Sequence, residues 1–194
     1  MVAKLAETNG VAVKMAAKAE PQINVRARIF TGTDEALEFF QDSNPGIVEP
    51  KEMEKILKRL EESETAALLA SQQVTTLSGR QAQVVSSEVK TNLLTGLVTE
   101  SGFVVEVLPT FLGGSGMSLY LAVMKMTDKP VPTEGTTDSL QSMLGVGQKG
   151  GNFGVLDGQT VVMARQFDGK KLVAFVTTTL VDPAGNRVHL ETEP

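Results

Sequence analysis

Apolar and polar residues alternate most cleanly near the start of the chain. In "PQINVRARIFTGT", Ile23, Val25, Ala27 and Ile29 alternate with Asn24, Arg26 and Arg28. A period of two predicts a strand with one buried and one wet face. Thr33 then reads as the cap of a short helix over 34–41, with Asp34 and Glu35 suited to the positive end of its dipole. The run "DSNPG" stops that helix with several breakers at once. A second, stronger helix is predicted over 50–70. Pro50 suits its first turn, and Met53, Ile56, Leu57, Leu60, Ala67 and Leu68 form one apolar stripe at three- and four-residue spacing.

Beyond Ser71 the pattern changes to strands and turns. "QQVTTLSGRQAQVVSSEV" predicts a hairpin turning at Ser78-Gly79, and "GFVVEVLPTF" with "MSLYLAVMKMT" predicts another around Gly113–Gly116. The segment 128–154 lacks a strand period and is expected to be a long surface loop. Two apolar runs, Gln159–Phe167 and Lys171–Leu180, flank Asp168-Gly169, a strong hairpin signal. The expected fold class is α+β and mainly antiparallel β: a sheet or sandwich of six or more strands, covered by the helix over 50–70 plus the short one over 34–41. Residues 1–20, rich in Ala and Lys, read as an N-terminal arm, and 21–194 as a single domain.

Composition narrows the chemistry. The 194 residues contain no cysteine, which excludes disulfides and thiolate chemistry. A net charge of −5 with scattered basic residues argues against nucleic acid as a partner. No transmembrane helix is expected, since no stretch approaches the roughly 18 continuous apolar residues one needs. Lys4, Glu7, Lys14 and Lys18 interrupt the N-terminus, which does not read as a secretory signal.

His189, the single histidine, has neither a cysteine nor a carboxylate cluster beside it, so no metal site or nucleophilic triad is expected. "GVGQKGGNFG" resembles a phosphate-cradling glycine loop, but lacks the strand before and the helix after that the mechanism requires. Glu61-Glu62 reads as solvated charge. Met117, Met124, Met126 and Met143 read as core filling rather than as a soft binding surface. No catalytic residues, metal or cofactor are expected, and the chain is not expected to be an enzyme.

In order along the chain, several runs resemble the homology domain of bacterial secretins, the multimeric outer-membrane channels of type II and III secretion and type IV pili. "EPQINVRARIFTGTDEALEFF" resembles its opening strand and short helix. The helix from Pro50 onward, followed by Val74, Thr76, Gly79 and Ala82, resembles its signature helix and extended run. Gly102, Val107 and Pro109 in "ESGFVVEVLPTF" fit a further strand motif. Gly158 and Thr160 in "LDGQTVVMA", with Phe175 and Thr177 in "KLVAFVTTTLVD", fit the two closing strands. Departures accompany the match. Val162-Met163-Ala164-Arg165 stands where the family has Gly-Gly-Leu, Thr178 where it has proline, and the gate-associated insertion is reduced to Asp168-Gly169.

The resemblance implies a non-catalytic structural or assembly component of the bacterial envelope, in the periplasm or at the outer membrane or cell surface. It would belong with a type IV pilus or secretion system and lack the secretin gate. Implied partners are envelope, pilus or secretion proteins, with self-association through strand edges at Val74–Val84 and Val173–Val181 supported by the helix. The alternative is a β-sandwich surface or adhesion module that binds a host or matrix ligand through loops 111–116 and 128–154.

Overall fold

The computed structural model describes residues 21–33, 37, 40, 46–91, 96, 98–130, 149–167 and 170–188. The N-terminal arm, most of the short helix over 34–41, residues 131–148, Asp168-Gly169 and His189 lie outside them. Nine strands and one helix are described: β1 (Gln22–Gly32), β2 (Gly46–Val48), α1 (Pro50–Glu61), β3 (Ala66–Thr76), β4 (Ala82–Thr91), β5 (Val98–Gly113), β6 (Gly116–Pro130), β7 (Lys149–Leu156), β8 (Thr160–Phe167) and β9 (Lys170–Val181). They form two antiparallel sheets, ordered β2-β8-β9-β1-β3 and β4-β5-β6-β7.

The alternation in β1 sets the first sheet's inner face. Ile23, Val25, Ala27 and Ile29 are buried there with Leu172, Ala174, Val176 and Leu180 of β9, against Val105, Val107, Leu119 and Leu121 of the second sheet. This inter-sheet layer is the main core. The first sheet's other face carries a second core under α1, where Met53 and Leu60 pack with Phe30, Val162, Val173 and Phe175. Phe175 is gripped edge-to-face by Phe30 and Phe40, with ring centroids 5.8 and 5.3 Å away. Buried on both faces, β9 reads in sequence as a nearly continuous apolar run.

The expectation of a helix over 50–70 is corrected: α1 stops at Glu61, and Ala66–Ala70 begins β3. Glu62 N–H closes the last turn on the Lys58 carbonyl, and Thr65 N–H bonds the Ser63 hydroxyl. Hydroxyls that bond nearby backbone compete with the helix. Ala66, Ala67 and Leu68 then pair with Gly32, Thr31 and Phe30, so a full ladder overrides the helix propensity of "AALLA". Where the short helix was expected over 34–41, Leu37 is buried and its N–H bonds the Thr33 carbonyl.

Three further expectations change. The hairpin at Ser78-Gly79 is a corner, because β3 pairs with β1 in one sheet and β4 with β5 in the other. The turn is tied to β5, with Gly79 N–H on the Pro109 carbonyl at 2.8 Å and Phe111 N–H on the Ser78 hydroxyl at 3.0 Å. The loop over 128–154 is strand at both ends, as β6 reaches Pro130 and β7 starts at Lys149. Phe153 and Val155 alternate into the core, and the glycines beside them hid that period. Finally, Val173–Val181 is no edge, since β9 lies between β8 and β1. The hairpins β5–β6 and β8–β9 are as expected; Phe167 pairs with Lys170, leaving two residues between the strands.

Candidate interaction surface

The residues singled out from the sequence fall into two groups. Val74, Thr76, Gly79, Ala82, Val107 and Pro109 gather at the corner between the sheets. Val74 pairs with Val25, Thr76 with Ile23, and Ala82 with Val107, which is fully buried. The Thr76 hydroxyl donates to the Arg80 carbonyl, and Gly79 holds φ +71°. Pro109 lies beyond the end of β4, where its missing N–H leaves no ladder bond unmade on that side.

Gly102 belongs to this half of the molecule and pairs with Ser87. A Cβ there would stand 2.1 Å from the Ser86 carbonyl oxygen, so only glycine lets β4 and β5 approach this closely.

Gly158, Thr160, Phe175 and Thr177 form the second group, beneath α1. Gly158 turns at φ +86° between β7 and β8, under the Arg187 guanidinium. The Thr160 and Thr177 hydroxyls share a hydrogen bond of 2.7 Å across β8 and β9. Asp157 clips the neighbouring C-terminal segment: one oxygen accepts from Leu180 N–H at 2.7 Å, the other from Arg187 Nε at 3.1 Å and Nη2 at 3.0 Å. In the turn that follows, Asp182 is held below the usual carboxylate range, first by the Asn186 side-chain amide, then by the backbone N–H groups of Asn186, Ala184 and Gly185.

Neither group assembles a nucleophile with a base. Among the described residues, no three of His, Asp and Glu stand close enough to hold a metal ion. Among them also, no helix is long and apolar enough to cross a membrane.

The open chemistry lies on the sheet edges. β3 borders the first sheet, and β4 and β7 border the second. The β3 sequence "AALLASQQVTT" carries no charge and no proline over 11 residues, and it exposes Leu68 and Leu69 at 49% and 43%. Unpaired N–H and C=O groups on such a strand are a template for another strand; β3 lacks the charge and proline that usually block an edge, and its one irregularity is a bulge at Leu69, where Ile29 pairs with Ala70 and Phe30 with Leu68. β4 differs, with Glu88 and Lys90 ion-paired at 3.3 Å near its end.

The sequence reading missed a cleft of about 800 Å³ beside α1, floored by Asn24, Arg26 and Arg28 of β1 and Thr177 and Thr179 of β9. Its signal was the wet face of β1, where two cations recur at a spacing of two.

No protein-family model and no curated protein matches the sequence. Solved structures similar to this chain include three secretins. The type III secretion injectisome secretin InvG of Salmonella is 16% identical with a TM-score of 0.39, over 94% of this chain and 67% of that one. The type II secretion secretin XcpQ of Pseudomonas aeruginosa is 11% identical with a TM-score of 0.45, over 94% and 64%. The type II secretin GspD of enteropathogenic Escherichia coli is 12% identical with a TM-score of 0.43, over 94% and 75%. This chain therefore spans between 64% and 75% of the length of those three.

Proposed function

We propose that this chain is a non-catalytic, secretin-like structural module of the bacterial envelope, working in a type IV pilus or secretion system by joining its sheet to a neighbour's. The observation that carries the reading is the β3 edge, long, uncharged and uncovered by any described strand. A neighbouring strand laid against it would satisfy the open backbone groups and cover Leu68 and Leu69. Self-association is the simplest form, and an envelope or secretion protein offering a free strand is the other. The two-residue separation of β8 and β9 leaves no room for a gate-forming insertion, so the module acts as a wall rather than a valve.

Size-exclusion chromatography with light scattering tests the assembly step, with negative-stain microscopy of native membranes as its counterpart in cells. The parent chain is expected to form concentration-dependent assemblies, and Leu69→Lys with Gln72→Lys on the edge to remain monomeric with unchanged circular dichroism. A parent that stays monomeric at every concentration and never co-purifies with envelope proteins overturns the reading. So does an edge variant that assembles as well as the parent.

A further inference from the structure

The cleft beside α1 lies on the outer face of the first sheet, away from the β3 edge's backbone groups. Its floor is the part of that face that the helix leaves uncovered. Helix residues Glu54, Leu57, Lys58 and Glu61 form one wall, and Gly185 and Arg187 close one end. The volume falls within the range of ligand-binding clefts, roughly 300–1,000 Å³.

Arg26 and Arg28 dominate the floor. They point to the same face of β1, about 6.7 Å apart along the strand. Among the described residues, neither has a carboxylate within ion-pair distance, although Arg187 at the rim is neutralised by Asp157 at 3.0 Å. Arg26 is steadied by a hydrogen bond from Nη2 to the Gln73 side-chain oxygen at 3.2 Å, and Asn24 donates to the Thr75 hydroxyl at 3.0 Å. Two guanidinium groups are thus set on an interior strand with no ion-pair partner among the described residues; Glu54 and Glu61 also line the cleft, but Arg26, Arg28 and Lys58 outnumber them, in a chain whose net charge is −5. Guanidinium favours planar oxyanions, which it can grip with two parallel N–H bonds.

The spacing selects among anionic ligands. An extended peptide places alternate side chains on one face at the same period as β1, so acids at positions i and i+2 meet Arg26 and Arg28 in register. The hydroxyls of Thr177 and Thr179 and the Asn24 amide can bond its backbone. Leu57, half-buried on the wall, offers an apolar ledge that a uniformly charged glycan could not use but a peptide side chain could.

We propose that this cleft binds an extended acidic peptide segment of a partner protein, bearing two carboxylates two residues apart, through Arg26 and Arg28. The site lies on the sheet's face rather than along the open backbone edge of β3, although Gln73 of β3 lines it and steadies Arg26.

Fluorescence anisotropy with a labelled Ser-Leu-Glu-Thr-Glu-Leu-Ser peptide, titrated with the full chain at low and high salt, tests this. Binding should weaken with salt and fall about tenfold or more when both glutamates of the peptide are glutamine. Arg26→Gln and Arg28→Gln should each reproduce that loss with unchanged thermal unfolding. Arg26→Glu with Arg28→Glu should restore binding to the matching Lys-Thr-Lys peptide. Equal binding of the acidic and glutamine peptides, no loss in either arginine variant, or tighter binding of polygalacturonate than of the peptide would each overturn the proposal. A large gain in affinity when Glu191→Gln and Glu193→Gln are made in the full chain would assign the cleft to the chain's own C-terminal segment instead. The Leu69→Lys, Gln72→Lys edge variant should bind the peptide like the parent, which separates failure of this site from failure of the assembly reading.

Discussion

Thr178 offers the sharpest test of how this core is held. It is fully buried on the inner face of β9, the face of Val176 and Leu180, and pairs with Val25. Its backbone is satisfied, with N–H to the Gln159 carbonyl at 3.3 Å and its own carbonyl accepting from Gly158 at 2.8 Å. Among the described residues its hydroxyl has no hydrogen-bond partner. An unsatisfied buried hydroxyl costs about 1–3 kcal/mol, and a methyl in its place adds apolar burial worth roughly 0.8 kcal/mol. Thr178→Val keeps the branched shape, so a small mismatch in packing offsets part of the gain. The expected net stabilisation is about 1–2 kcal/mol.

Thr160 gives the opposite case in the same pair of strands. Its hydroxyl is bonded to that of Thr177, so Thr160→Val orphans a partner and is expected to destabilise by about 1 kcal/mol. Urea unfolding at one low protein concentration reads both. With a slope of about 1–3 kcal/mol per molar, the Thr178→Val midpoint should rise by roughly 0.5–1 M and the Thr160→Val midpoint should fall, at unchanged slope. A Thr178→Val midpoint below the parent's would refute the reasoning, because the hydroxyl would then be making a bond that stabilises the fold.

Two further outcomes follow from named contacts. Gly102→Ala must push β4 from β5 to clear the Ser86 carbonyl, and should destabilise by about 2 kcal/mol or more, with amide exchange accelerated along β4; protection equal to the parent's would contradict the close approach. The lowered pKa of Asp182 means that its carboxylate form supports the fold above the unfolded value near 3.9, and that this support disappears as pH falls through the lower folded value. Unfolding midpoints of the parent and of Asp182→Ala should therefore differ near neutrality and converge in acid, and a constant difference would show that the carboxylate's charge plays no part.

What the sequence disclosed is what local pattern controls. The alternation in β1, Pro50 at the start of α1 and the turn signals at Gly113–Gly116 and Asp168-Gly169 each depend on a few neighbouring residues. Partner choice does not. "AALLA" has high helix propensity and becomes strand only because β1 offers it a ladder. The Ser78-Gly79 turn has hairpin composition and still sends its two flanks to different sheets, because Val74 and Val84 find partners in Val25 and Val105. Likewise nothing local distinguishes an edge from a centre, so the pattern of Val173–Val181 suits either, and it is the neighbours β8 and β1 that make β9 a buried strand. For the site, only the Val74–Thr76 end of β3 lies in the expected edge, since 66–70 reads as helix, and the cleft needs α1 to stop where it does and leave Arg26 and Arg28 uncovered.

The placement of β1 beside β9 has a consequence for how the molecule is made. The ladder joins Gln22 to Val181 and Gly32 to Lys171, so the middle of the first sheet is closed by the two ends of the described chain. A chain synthesised or exported N-terminus first can pair β1 with β3 early, but β1 then waits with its other side open until almost everything else has emerged. During that interval two neighbouring strands are both templates for foreign strands, one temporarily and one permanently. Sealing β1 by β9 is thus the event that leaves β3 as the one open strand on that side of the sheet. Protection of the chain before that moment, rather than the strength of its finished core, would govern how much of it reaches its folded form.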